Sequence, residues 1–152
     1  MGKVTIDGLP GLKNLVGKDL GVSDWRSMRF EDIQKFADVT GDHQWIHVDR
    51  EKAAAGPFGA PIAHGYFTVS LIAGLFFAMV ETRGFKAVLN YGLNKVRFPA
   101  PLRENKRYRL ALKLAEAKEA QGGLDAQFVA TIEVDGEPKP ACVAELVFRF
   151  IG

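Results

Sequence analysis

The reactive side chains of this 152-residue sequence crowd into one stretch. From Phe36 to His47 the order is Phe-Ala-Asp-Val-Thr-Gly-Asp-His-Gln-Trp-Ile-His, and the chain's three histidines, His43, His47 and His64, all lie in or just beyond it. Asp42 and His47 stand five residues apart, directly after Gly41. A carboxylate and an imidazole aimed at one point can hold a water and take its proton. The same spacing suits an aspartate that caps backbone amides and a histidine packed in a core, so spacing leaves both readings open. His43 and His47 are four apart, as in helical zinc sites, but position 44 is Gln where such sites carry Glu. No spacing rule calls for His64 as a third ligand, so no metal is expected. The sequence has no Gly-x-Ser-x-Gly elbow and no glycine loop with the lysine and hydroxyl that cradle phosphate. Cys142 sits in a strand-like pattern with no histidine nearby in sequence, which gives nucleophilic catalysis little support.

A second feature is the pair His64-Gly65, which opens a long apolar run ending at Val80. The first amides of a helix have no acceptor within it and carry partial positive charge. Gly65 can therefore present its amide to a developing oxyanion, or simply let helix and sheet pack closely. His64 reads as a structural hydrogen-bonding residue. Ser70, inside the run, reads as a serine bonded back to the preceding turn.

The elements that must position these groups follow from the hydrophobic period. Residues 1–22 show little periodicity and are expected to form an N-terminal arm. A short strand is predicted from Asp24 to Arg29. Ile33, Phe36 and Ala37 recur at helical spacing between Phe30 and Thr40, with Glu31 and Asp32 in the first turn and Gly41 as the stop. Asp49 is predicted to cap a short helix through Ala55. Gly56 to Pro61 is a loop by composition. The run from Ile62 to Val80 is near bilayer length, but it holds His64, Gly65, Thr68, Ser70 and Gly74, so a helix buried in protein is expected, with Pro61 in its first turn. Beyond Gly84 the period becomes two. Strands are predicted at Val88–Phe98 and around Tyr108–Leu114, Leu124–Val134 and Cys142–Phe150, with turns at Gly122-Gly123 and Asp135-Gly136. One polar and one apolar face on each strand implies an antiparallel sheet of about five strands in need of a partner, which the apolar helix supplies.

Composition bounds the rest. The chain is 47% hydrophobic, with eleven phenylalanines, and is expected to fold as one domain spanning residues 1–152. Its net charge is +2, from 20 basic and 18 acidic residues, which argues against a nucleic-acid partner. The lone cysteine excludes an internal disulfide and fits a reducing compartment, so a cytoplasmic location is expected, with no membrane partner.

Phe36 to Ala53, with Thr40-Gly41-Asp42 and His47 five residues after the aspartate, resembles the signature of the MaoC-like (R)-specific enoyl-CoA hydratases. Ala63-His64-Gly65 looks like that family's helix-start motif, and Tyr91 to Pro101 like its following strand. The resemblance covers roughly residues 25–150. It implies a hot-dog fold of class α+β, a curved antiparallel sheet wrapped around a long central helix, usually as a homodimer. It implies hydration of trans-2-enoyl-CoA to (R)-3-hydroxyacyl-CoA, and the reverse dehydration, in fatty acid metabolism and without a cofactor. The catalytic aspartate and histidine fall on Asp42 and His47, and the oxyanion-hole amide on Gly65. This chain has Gln44-Trp45 where the family usually has Asn-Pro. Gln44 is expected to order the water and the dyad through its amide, and Trp45 to shape the acyl entrance. His64, Ser70 and Arg97 are further substrate-binding candidates. Lys95, Arg97, Arg103 and Lys106 are candidates for CoA phosphates, although charged strand ends in solvent look the same. The substrate is an acyl-CoA or acyl-carrier-protein thioester. Two other functions remain open: a hot-dog thioesterase, which would direct water at the carbonyl, and a non-catalytic acyl-thioester-binding protein.

Overall fold

The structure, a computed structural model, describes residues 3–152. In chain order the elements are β1 (Val4–Asp7), α1 (Gly8–Asn14), β2 (Asp19–Val22), β3 (Arg26–Ser27), α2 (Phe30–Thr40), α3 (Trp45–Val48), α4 (Arg50–Ala54), α5 (Gly65–Met79), β4 (Val80–Arg83), β5 (Ala87–Arg97), β6 (Arg107–Ala120), β7 (Gly123–Val134) and β8 (Cys142–Ile151). The main sheet is antiparallel and runs β2-β6-β7-β8-β5, with β3 also paired to β6. α5 lies against β6, β7 and β8. A curved antiparallel sheet on one long helix is the hot-dog fold.

The sheet forms where the alternation is strictest. In β7, Leu124, Ala126, Phe128, Ala130, Ile132 and Val134 are all buried. They share one core with α5, where the Phe76 ring meets those of Phe128 on β7 and Phe148 on β8 edge-on at 5.2 and 5.1 Å. On the opposite face, cross-strand neighbours carry opposite charge. Arg149 bonds Asp125 at 2.7 and 2.9 Å, and Arg109 bonds Glu133 at 2.7 Å. Such half-exposed pairs add about 0–1 kcal/mol each, so they fix register more than they stabilise.

The helical front behaves as its punctuation requires. α2 buries Phe30, Ile33 and Ala37 and ends at Gly41, whose φ of +83° is left-handed and whose amide donates to the Ala37 carbonyl at 2.8 Å. Asp49 caps α4 by accepting from the Lys52 amide at 2.9 Å.

Three expectations need correction. Residues 4–22 are not an arm: β1 pairs in parallel with β4, β2 pairs with β6, and Ile6 and Leu12 are fully buried. Met1 and Gly2, the start of that expected arm, lie outside the described residues. The strand predicted from Asp24 to Arg29 shrinks to β3. Among the described residues the main sheet follows the expected path of about five strands, with the two-residue β3 as a sixth on β6 and a separate two-stranded pair beside it. The helix begins at Gly65 rather than Ile62, because residues 62–63 spend their amides elsewhere: Ile62 donates to the Ile46 carbonyl at 3.0 Å and Ala63 to the Leu102 carbonyl at 2.8 Å. Pro61 is therefore outside it. Among the described residues no helix is long and apolar enough to cross a membrane.

The β7–β8 pairing leaves no room at Gly123, where an added Cβ would run into the Phe150 carbonyl oxygen. Gly123→Ala is expected to cost about 1–3 kcal/mol, lowering the melting temperature by about 4–10 °C. Gly92→Ala, on β5 with nothing within 4 Å of its added Cβ, is expected to leave it nearly unchanged. Thermal unfolding of the two variants checks this.

Candidate active site

Two short segments distant in sequence are laced together by three hydrogen bonds. The Ile62 amide donates to the Ile46 carbonyl at 3.0 Å. The Ile62 carbonyl in turn accepts from His47 Nδ1 at 2.7 Å. His64 Nε2 donates to the backbone carbonyl of Asp42 at 2.9 Å. Gly41 turns the chain out of α2 so that Asp42 enters this lace, and α3 carries His47 into it. The rings of His47 and His64 then stack, centroids 3.8 Å apart and planes 20° from parallel.

The lace fixes both tautomers. A carbonyl only accepts, so His47 carries its proton on Nδ1 and keeps a lone pair on Nε2. By the same reasoning His64 carries its proton on Nε2, and its Nδ1 is a buried lone pair with no hydrogen-bond partner among the described residues. Burial holds the His47 pKa below that of an ordinary imidazole, and neighbouring His64 acts in the same direction, against the Ile62 carbonyl and Asp42. The neutral ring is the form that can accept a proton.

One ligand-capable atom from each of Asp42, His47 and His64 lies within 4.8 Å of the other two. His47 and His64 are buried and Asp42 is exposed. No direct hydrogen bond joins the Asp42 carboxylate to either ring among the described residues. Such a separation suits one bridging water, since each of its hydrogen bonds spans about 2.7–3.0 Å. The three side chains face a cavity of about 510 Å³. Thr40 and Gly65 complete its polar wall, and Phe36, Tyr66 and Phe98 form its apolar wall. Gly65 is the first residue of α5, and the first bond of that turn is Thr68 N to His64 O at 3.0 Å. The Gly65 amide therefore lies ahead of the helix's own ladder.

Of the residues singled out in the sequence, the fold brings Asp42, His47, His64 and Gly65 to this cavity. Gln44 and Trp45 are not among its lining residues. The Gln44 amide reaches Asp42 Oδ1 at 3.4 Å while its side chain is exposed. The Trp45 ring instead covers Gly56, where an added Cβ would lie 2.9 Å from it, and Lys52 Nζ sits 5.0 Å from its centre. Ser70 donates to the Tyr66 carbonyl at 2.7 Å and lines a separate cavity of about 230 Å³ between α5, β5 and β8. Arg97 is exposed and bonds the Val96 carbonyl at 2.8 Å. Arg103 and Lys106 share Glu137 at 3.8 and 3.5 Å. His43 is exposed and pairs with Asp38 at 2.9 Å, so the histidines four apart in sequence do not converge. Phe36, Tyr66 and Phe98 were missed as site residues. Phe36 reads as an ordinary core position of α2, and only the strand motif from Tyr91 to Pro101 carried a signal for Phe98.

Residues 12–135 match the MaoC like domain family. The chain is 46% identical over 148 residues to 3-hydroxyacyl-thioester dehydratase Z of Mycobacterium tuberculosis, covering 97% of this chain and 98% of that protein. Among solved structures it resembles R-hydratase PhaJ1 from Pseudomonas aeruginosa with a TM-score of 0.72 at 22% identity, over 90% of this chain and 81% of that one. The (R)-hydratase from A. caviae involved in PHA biosynthesis gives a TM-score of 0.72 at 21% identity, over 88% and 95%. At these identities the solved structures speak for the fold alone.

Gly65 also sets the shape of the cavity wall. An added Cβ there would lie 2.9 Å from Phe98 Cδ2 and Cε2. Phe98 is 37% exposed and can swing away, so Gly65→Ala is expected to leave folding largely intact while moving the wall. Turnover of an enoyl thioester should fall at least about tenfold, or about 1.4 kcal/mol in barrier, and Phe98→Ala in the same chain should recover part of it. Steady-state kinetics on the three variants checks this.

Proposed function

The chain belongs to the MaoC-like dehydratase family, and on that premise we propose that it interconverts trans-2-enoyl and (R)-3-hydroxyacyl thioesters through a water held between Asp42 and His47. It is a hydro-lyase. The relative that is nearly half identical over almost its whole length is named for dehydration of a 3-hydroxyacyl thioester, which supports the same substrate class here. The observation that carries the reading is the His47 tautomer. With Nδ1–H committed to the Ile62 carbonyl, Nε2 is the free base, and it faces a cavity that the Asp42 carboxylate shares.

In the hydration direction, His47 Nε2 accepts one water proton as the oxygen attacks the β-carbon. Asp42 accepts a hydrogen bond from the water's other O–H, which stays on the product hydroxyl, and so fixes the direction of attack. His47 returns the proton to the α-carbon on the same face, so one water adds across the double bond and both groups are restored. Negative charge gathers meanwhile on the thioester oxygen. The Gly65 amide, fixed at the start of α5, is aimed to meet it, and one such donor is worth about 2.7–4 kcal/mol. The thioester is carried on CoA or an acyl-carrier protein, with exposed Lys95 and Arg97 as the cations open to its phosphates. No step calls for a cofactor.

A homodimer is part of this reading. Among the described residues β5 is an eleven-residue edge strand paired only with β8. Beside it the chain exposes Tyr66 by 75%, Tyr91 by 59%, and Leu89 and Leu93 by 48% each. A long edge with apolar side chains invites a second copy, and two-fold closure is the commonest outcome. Light scattering at micromolar concentration should give twice the 16.7 kDa chain mass or a multiple of that; a stable monomer contradicts the dimer.

Asp42→Asn and His47→Ala are each expected to remove most hydration without unfolding the chain. Because both act on one water, the double variant should be hardly slower than the worse single one. If Asp42 were only a capping residue, its loss would cost about 0.5–2 kcal/mol of stability and leave turnover normal. Measuring loss of enoyl-thioester absorbance and melting temperature on the same samples separates the two.

A further inference from the structure

His64 is a substrate-binding candidate by sequence, yet neither of its ring nitrogens is open to a substrate. The residue is only 2% exposed. Its Nε2–H is committed to the Asp42 carbonyl at 2.9 Å. Its Nδ1 is buried, with no hydrogen-bond partner among the described residues. Its main chain is fixed as well, because the His64 carbonyl accepts from the Thr68 amide at 3.0 Å and from Thr68 Oγ1 at 3.1 Å. What the ring does touch is both members of the dyad. One nitrogen holds the backbone from which Asp42 projects, and one face lies on His47 with centroids 3.8 Å apart. Phe36 packs on the same ring at 4.9 Å and itself stacks on Phe67 of α5 at 4.9 Å.

We propose that His64 is a positioning residue for hydration, which sets Asp42 through its Nε2–H and the plane of the His47 ring through face contact, without touching substrate. The kinetic part rests on the hydratase reading above; the contacts do not. His47 needs the second support. Its hydrogen bond to the Ile62 carbonyl fixes one nitrogen but leaves the ring free to tilt about that bond. A ring lying flat on it removes the tilt and so fixes where the Nε2 lone pair points. Asp42 needs support too. Its exposed carboxylate is met by the Gln44 amide at a long 3.4 Å, so its aim depends on the backbone that His64 holds. Misplacing a reacting group by about 1 Å can cost about a hundredfold in rate.

Charge adds a separate consequence. The titratable side chains on the His47 cavity are Asp42 from the loop after α2, His64 at the start of α5 and Tyr66 on α5. Burial, and after it His64, holds the His47 pKa down, against the Ile62 carbonyl and Asp42. Only neutral His47 can take a proton from water. Turnover therefore persists to lower pH than an ordinary imidazole would allow. Loss of the second imidazole raises the His47 pKa and moves the acid limb of kcat/KM to higher pH.

Two variants divide the jobs of the ring. His64→Phe keeps a flat ring and loses the N–H; His64→Gln keeps an N–H near the place of Nε2 and loses the ring. Each should lower kcat for an enoyl thioester at least about tenfold. KM should stay within about twofold of the wild-type value, and the acid limb should move to higher pH. Because His64→Phe acts through Asp42, it should cost less than about threefold more in an Asp42→Asn chain. His43→Gln, which changes an exposed histidine paired with Asp38, should leave the acid limb in place. A raised KM with kcat preserved makes His64 a substrate contact and overturns the positioning role. Normal kinetics with only a lower melting temperature makes it a core residue and overturns the role too. If His64→Phe fails to fold, His64→Gln carries the same readings. NMR of the histidine rings and of the Asp42 carbonyl carbon tests the contacts without turnover. The His47 titration should move to higher pH in both variants, and the Asp42 carbonyl should shift in His64→Phe and stay in place in His64→Gln. If the wild-type chain hydrates no enoyl thioester, the hydratase reading falls and NMR still decides the contacts. If it does hydrate and both variants match it in rate and acid limb, the hydratase reading stands and the positioning role falls.

Discussion

Everything chemical in this protein hangs on the lace between residues 42–47 and 62–64. Three hydrogen bonds across that gap do several jobs at once. They end the non-helical approach to α5 so that the helix starts at Gly65. They choose the tautomer of His47 by giving its Nδ1–H an acceptor. They seat the Asp42 backbone, from which the carboxylate projects into the cavity. A change to any of them moves the His47 ring, the Asp42 carboxylate and the helix start together, because the residues share partners and do not act independently.

The sheet and helix serve this arrangement by rigidity. α5 is anchored through Phe76 and its buried neighbours to β7 and β8, so the amide of Gly65 has a fixed direction. The glycine lets Phe98 close over that point. The opposite face of α5 and the free edge of β5 remain apolar and exposed in the single chain.

Much of this was legible in the sequence wherever the signal was local. The alternation in β7 and β8, the stop at Gly41 and the cap at Asp49 are decided by neighbours a few residues away, and the structure has them where they were expected. Segments decided at long range were not legible. Val4–Asp7 shows no useful period because its place is set by parallel pairing with Val80–Arg83. Ile62 and Ala63 look helical by composition but give their amides to Ile46 and Leu102. At the site, spacing offered Asp42 and His47 without choosing between a dyad and structural roles, the helix start offered Gly65, and the fold brings all three to one cavity. Nothing in the spacing foretold that His64 would stack on His47 with an orphaned nitrogen, because that contact depends on the fold bringing two loops together. The aromatic wall of Phe36, Tyr66 and Phe98 was equally hidden, since an aromatic at a helix or strand position reads as core until its surroundings are known.

The central claim is that water bound by Asp42 and His47 adds to a carbon–carbon double bond and not to the thioester carbonyl. The direct measurement is mass spectrometry of the product formed from a trans-2-enoyl-CoA in water labelled with heavy oxygen. Hydration by this site places the label on the β-hydroxyl of an intact 3-hydroxyacyl-CoA, with no free CoA released. Label in a free carboxylate, with CoA liberated and the double bond retained, would contradict it.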